Sequence, residues 1–310
     1  MLARIAESLY WIGRYTERAE STARILDVYS HSVLEDRRGE EESACVRLLD
    51  ALGAGDAAAT VGTEVDALIA FVVDDPRYPG SIAHSLEAAW ANARGAREAI
   101  SSEMWESINT THATLAARRG GSAFARHSLL GWARDRAAIV AGLADASMSH
   151  DDGWRFIVLG RTLERVDMTV RLLSTRLGDA WGTEGWVAML RSCGAYEAYL
   201  RTYRRGVVGT RAVEFLLLDR LFPRSVFHAL SAAEGVLRDL DPIGPGRRGR
   251  ESEARRLVGR ACAELEFVGP EELEASLPSQ LGRLERAGID AHDAIADRFF
   301  SASTAIRWSA

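Results

Sequence analysis

The sequence predicts an all-α fold made of two related helical bundles packed about a pseudo-twofold. Three observations carry that expectation. Gly13–Leu26 (GRYTERAESTARIL) recurs 147 positions later as Gly160–Leu173 (GRTLERVDMTVRLL), with seven of the fourteen positions identical. Phe71–Leu86 (FVVDDPRYPGSIAHSL) is echoed by Phe215–Leu230 (FLLLDRLFPRSVFHAL), where Phe71, Asp75, Pro79, Ser81, His84 and Leu86 recur at an offset of 144. Two blocks in one order at nearly one offset indicate a tandem duplication, with units expected at residues 1–148 and 149–310. Finally, apolar residues step by three and four along the chain, and no stretch sustains the alternation of a strand.

Met1 to about Leu34 reads as one long helix. Ile5, Leu9, Ile12, Thr16, Ala19, Ala23 and Leu26 line one face, and Tyr10, Arg14, Glu17, Ser21, Arg24 and Val28 line the opposite one. Glu35–Ser43 is charged enough to be a solvated connection, and two shorter helices are expected near Ala44–Leu52 and Thr63–Val73. Pro79 then precedes Ser81, a good N-cap, and the helix it opens is expected to reach about Ala117. Arg118–Ser122 ends it, and Ala123–Ala144 forms the next helix. In the second unit, Phe156, Leu159, Leu163, Val166, Val170 and Leu173 repeat the first helix's apolar face. Gly178–Gly185 reads as a loop, Trp186–Arg204 and Thr210–Leu221 as helices, and Pro223 with Ser225 repeats the proline-then-cap signal. Asp241–Arg250 is the clearest flexible segment, followed by helices near Glu251–Phe267 and Glu271–Phe300.

Composition removes several classes of function. The net charge of −6 offers no basic excess for nucleic-acid phosphates. The longest apolar runs are too short to cross a bilayer, and Glu7 and Arg14 interrupt any signal-peptide segment. Cys45, Cys193 and Cys262 form no CxxC pair, so we expect a reduced cytoplasmic protein without disulfides, bound metal or other cofactor. The chain contains no lysine, and all 38 basic residues are arginine. Schiff-base chemistry and the phosphate loop ending in Gly-Lys-Ser/Thr are therefore excluded.

The Glu-Arg pairs, Glu17-Arg18 and Glu164-Arg165, are the leading constellation. The stripe carrying Arg14, Glu17, Arg18 and Arg24 is echoed by Arg161, Glu164, Arg165 and Arg171. Because large apolar groups share that stripe, another helix is expected to cover it, and charges there must be paired. A buried ion network competes with a site for an anionic or zwitterionic ligand. If the two Glu-Arg helices meet face to face, Glu17 reaches an arginine of the other unit and Glu164 does the reverse. Neither His84 nor His228 completes a Glu-x-x-His ligand pair, and both read as helix-start residues. Glu98–Asn109 (EAISSEMWESIN) has no counterpart in the second unit, and a polar face there could meet the Glu-Arg stripe.

Together, SLYWIGRYTERAESTARIL, LGRTLERVDMTVRLL, SSEMWESIN and EFLLLDRLFPRSV resemble the alpha-E family, an all-helical bacterial domain with a Glu-Arg motif, typically duplicated. Trp90–Arg94 (WANAR) departs from the family's Arg-Glu-Asn-Ala-Arg, so only Asn92, Ala93 and Arg94 carry over. The resemblance implies an uncharacterised activity within a peptide synthesis or modification system. Its associates are circularly permuted ATP-grasp amide ligases, to which some members are fused, a transglutaminase-like protease and a proteasome-related peptidase. The expectation is a helical accessory or substrate-presenting partner of an ATP-grasp ligase with no activity of its own. The alternative is an enzyme using the Glu-Arg sites for acid/base chemistry on a peptide or amino acid. The candidate binding residues are Arg14, Glu17, Arg18, Arg24, Asn92, Arg94, Glu103, Asn109, Arg161, Glu164, Arg165 and Arg171.

Overall fold

The computed structural model describes residues 1–35, 41–62, 64–75, 78–118, 123–175, 177, 182–242 and 252–301. Among these the fold is all-helical. The first part of the chain carries α1 (Ala3–Glu35), α2 (Glu41–Ala51), α3 (Ala58–Val61), α4 (Val65–Asp74), α5 (Ile82–Gly95), α6 (Ser102–Arg118) and α7 (Ala123–Ser147). The rest carries α8 (Asp152–Ser174), α9 (Thr183–Ser192), α10 (Tyr196–Tyr203), α11 (Gly209–Leu218), α12 (Val226–Leu240), α13 (Glu253–Phe267) and α14 (Pro270–Ile295). A π-helical turn, Ala296–Phe300, follows α14.

Helix α1 is the axis of the molecule. It packs most extensively on α8, then on α5 and α7, while α8 also carries α12 and α14. Its apolar face is buried from Ile5 to Leu26, and so are Tyr10, Arg14, Glu17 and Ser21 on the opposite stripe. A helix sheathed on both sides explains why charge and large apolar groups share one face. The buried apolar residues contributed by both halves of the chain form one contiguous core. Phe299 and Phe300 on the π turn close one end, with ring centroids 5.4 Å from Phe156 and 5.3 Å from Tyr10.

Two glycines set the α1–α8 contact. A Cβ on Gly13 would lie 2.1 Å from the Ile157 carbonyl oxygen, and one on Gly160 would lie 2.0 Å from that of Tyr10. Contacts advance in step from Leu9 against Gly153, through Gly13 against Ile157, to Arg18 against Glu164, so the helices run in the same direction. Asp151 starts α8 by accepting from the Gly153 amide at 2.8 Å, an N-cap in register with that contact.

The proline-then-serine signals hold: Ser81 and Ser225 each accept the backbone N–H three residues on, at 3.2 Å. Other boundaries are corrected. The helix opened by Ser81 stops at Gly95, and a 3₁₀ turn at Arg97–Ala99 leads to extended Ile100. Ser101, which lies inside the helix expected to reach Ala117, instead accepts the Met104 amide at 3.1 Å and starts α6. Trp186–Arg204 is likewise two helices, α9 and α10, parted at Gly194 with φ of +63°. Glu41–Ser43 belongs to α2, and Thr183–Gly185 to α9, where connections were expected. The flexible segment expected at Asp241–Arg250 falls outside the described residues after Pro242.

Gly13→Ala and Gly160→Ala should each destabilise the fold in urea unfolding by about 1–3 kcal/mol or more, because the new methyl meets backbone that cannot yield. Intrinsic helix propensity predicts the opposite sign, a gain of about 1 kcal/mol, so the sign alone decides.

Candidate functional site: the buried Glu-Arg lattice

The α1–α8 contact places Glu17 and Glu164 inside the protein, 5% and 1% exposed. Each is clamped from the opposite helix. Arg18 reaches across to Glu164 with two hydrogen bonds, Nε to Oε1 at 2.6 Å and Nη2 to Oε2 at 2.9 Å. Arg165 returns the contact to Glu17 at 3.0 Å. The expectation that each glutamate meets an arginine of the other half is therefore met. Arg14 adds a second cation to Glu164 at 2.6 Å and pairs with Asp167 at 2.6 Å.

The two ends of the lattice differ in how they are completed. Arg161, which aligns with Arg14 in the repeat, pairs with Asp145 at 3.3 Å. Its place on Glu17 is taken by Arg224, whose Nη1 lies 2.6 Å from Glu17 and whose Nη2 lies 2.5 Å from Glu20. Arg24 closes this end by pairing with Glu20. Sequence reasoning did not single out Arg224, Glu20 or Asp167 as site residues. Glu20 and Asp167 stand at equivalent repeat positions, which is a usable signal. Arg224 stands opposite Gly80, so comparing the halves hides it.

A further echo also went unread. Leu49, Gly53 and Ala54 recur as Leu190, Gly194 and Ala195. Both glycines are left-handed, φ +72° and +63°, and in both turns the alanine amide donates to the leucine carbonyl at 2.7 Å. A Cβ on Gly53 would lie 3.0 Å from Arg171 Nη1, and one on Gly194 would lie 3.3 Å from Arg24 Nη1. The glycines thus let each Glu-Arg helix lay an arginine on a turn from the other half of the chain.

Burial alone would raise the pKa of Glu17, but the Arg224 and Arg165 guanidiniums outweigh it and hold the carboxyl below its ordinary value. Burial opposes Arg14 and Arg18 at Glu164 in the same way, with the same net lowering. Asp167 goes the other way: burial, aided by Glu164, lifts it above its ordinary value despite Arg14. Burial also pushes Tyr10 up to about 12, against the pull of Arg14. Its hydroxyl accepts from Arg14 at 3.4 Å and meets His292 Nδ1 at 3.0 Å.

The remaining predicted residues do not join this lattice. Asn92 donates to the Ala88 carbonyl of its own helix, and exposed Arg94 lies over the Trp90 ring. Glu103 is exposed, and exposed Asn109 accepts from Trp90 Nε1 at 3.0 Å. The polar face expected on Glu98–Asn109 to meet the Glu-Arg stripe therefore lies elsewhere, because the break at Ala96–Ser101 carries α6 onto α5 and α7. Met104 is fully buried, and Trp105 packs against the core.

Two cavities are prominent. One, of about 550 Å³, is lined by Arg47, Asp50, Gly53, Arg171, Ser174, Thr175 and Glu285. The other, of about 580 Å³, is lined by Arg155, Arg238, Asp239, Pro242 and Arg255. Glu17 and Glu164 line neither. His84 and His228 lie at helix starts, His228 against the Arg220 carbonyl at 3.0 Å. Among the described residues the group able to gather a metal ion is instead Asp27, His31 and His127.

A family model described as a predicted alpha-helical domain with a conserved ER motif matches residues 1–300. The chain belongs to the Alpha-E family. Uncharacterized proteins of Mycobacterium bovis and of two Mycobacterium tuberculosis strains are 29% identical to it over 297 residues, covering 87% of this chain. This alpha-E chain spans 33% of the length of those relatives. No solved structure matches it. Among the described residues no helix is long and apolar enough to cross a membrane.

Glu17→Gln and Glu164→Gln should each cost about 3–5 kcal/mol at neutral pH, since each leaves buried guanidiniums without their counter-charge. The stabilisation from these lowered glutamates is present above the ordinary glutamate pKa, about 4.3, and is lost as pH falls through their folded values. Asp167, being raised, acts in the opposite sense and partly offsets that loss. Urea unfolding of wild type and the double variant from pH 7 down to pH 3 should give lines that converge toward acid. Parallel lines would remove the two glutamates from the acid response.

Proposed function

We propose that this chain is a helical partner of an ATP-grasp amide ligase, and that it presents a peptide or amino-acid substrate in a bacterial, cytoplasmic peptide-modification system. The observation that carries this reading is the closure of the Glu-Arg lattice. A general base must reach the proton it abstracts. Glu17 and Glu164 are each ion-paired with two arginines and line neither cavity, so they are poorly placed for acid/base chemistry. The rival reading, an enzyme working through those glutamates, loses support on the same ground.

Substrate presentation has its best support at the cavity lined by Arg47, Asp50, Arg171 and Glu285 with the hydroxyl residues Ser174 and Thr175. Both charge signs are there, as a peptide terminus or an amino acid requires. The curated relatives, with about two thirds of their length beyond the matched region, are consistent with a module that works beside another domain. The ligase and transglutaminase-like partners come from the family resemblance. We also infer that the halves 1–148 and 149–310 arose by duplication about a pseudo-twofold. The reciprocal Arg18–Glu164 and Arg165–Glu17 pairs and the matched turns at Gly53 and Gly194 support that inference.

Co-expression with a neighbouring ATP-grasp ligase should give one peak in size-exclusion chromatography at micromolar concentration, and ligase turnover should require this chain. Arg171→Gln should keep the single peak and lower turnover about tenfold, as loss of one charge-assisted contact implies. Two separate peaks with turnover independent of this chain would end the proposal.

A further inference from the structure

One group outside the lattice has the chemistry of a cation site. Asp27 and His31 stand four apart on the last turns of α1, which puts them on one face. His127 comes from α7, packed alongside. The carboxylate Oδ1 of Asp27 lies 3.9 Å from His31 Nδ1 and 3.9 Å from His127 Nε2. One ligand atom from each of the three residues falls within 4.8 Å of the others. The two rings sit 5.5 Å apart between centroids at 57°, so they converge without stacking flat.

We propose that Asp27, His31 and His127 form a binding site for one divalent transition-metal ion, with zinc as the natural occupant. Two imidazoles and a carboxylate are a donor set that zinc takes with a fourth position left to water. At zinc's bond lengths the ligand atoms of a tetrahedral site stand about 3.4 Å apart, so each of the two Asp27–histidine edges must close by about 0.5 Å. Exposed side chains at the end of a helix can make that adjustment, and His31 and His127 are 62% and 46% exposed. Binding through His31 Nδ1 replaces its 2.8 Å contact with the Asp27 carbonyl, a local contact within one helix.

The second sphere also fits. Arg134 Nη1 donates to Asp27 Oδ2 at 2.8 Å, which occupies one carboxylate oxygen and leaves Oδ1 facing the histidines. A carboxylate fixed in this way binds through a single oxygen, as outer-shell partners of metal ligands arrange it. The site links the end of α1 to α7, so an ion there ties the two helices together. It is independent of the ligase reading, and either can fail without the other.

The test uses tag-free full-length protein titrated with zinc in a calorimeter and with cobalt(II) in a spectrophotometer. The expected result is one equivalent of zinc bound and the visible absorption of tetrahedral cobalt, without a thiolate charge-transfer band. His31→Ala and His127→Ala, each with unchanged helical circular dichroism, should weaken zinc binding at least about tenfold. Absence of binding at millimolar zinc, affinity unchanged in both variants, or a thiolate band pointing to the cysteines would each overturn the proposal.

Discussion

Two buried glutamates, each clamped by an arginine from the opposing helix, are the interaction on which the structure depends. Glu164 in the grip of Arg14 and Arg18, and Glu17 in that of Arg165 and Arg224, lie where α1 and α8 approach through Gly13 and Gly160. Ionised carboxylates cannot be sealed from water without such partners. The clamps therefore demand one register of α1 against α8, since sliding either helix by a turn would strand several charges at once. The remaining helices are arranged around this pair: α5 and α7 on α1, and α12 and α14 on α8.

Much of this was legible in the sequence, and the illegible parts have physical causes. The helical periodicity of α1 and α8, the serine caps at Ser81 and Ser225, and the pairing of charges between halves all follow from spacing. The break at Ala96–Ser101 was missed because alanine-rich flanks keep the helical period running through it, and that at Gly194 because strong helix formers such as Met189, Leu190, Glu197 and Leu200 stand on both sides. Ser101 was placed inside one long helix, and the extended backbone at Ile100 makes it a helix start instead. Arg224 was missed because it acts on one end of the lattice from a turn whose counterpart carries Gly80. Asn92 and Arg94 came from motif resemblance, Glu103 and Asn109 from a stretch that one half alone carries, and spacing along a helix does not say which neighbour its polar face meets.

The asymmetry between the halves bears on function. Arg24 is held by Glu20 on its own helix, whereas Asp167, at the equivalent distance from Arg171, is taken by Arg14. Arg171 lies instead across the Gly53 turn at a cavity wall. Arg171 thus lines a concave, mixed-charge surface while its charge still helps hold Glu164 ionised. The Glu-Arg motif is thus buried, and a neighbouring arginine reaches a cavity wall.

A double-mutant cycle on Arg18 and Glu164 tests the structural claim most directly, using Arg18→Gln, Glu164→Gln and the pair in equilibrium urea unfolding. Coupling of about 2 kcal/mol or more would match a buried clamp that sets the helix register. Additive single effects, with coupling near zero, would contradict it.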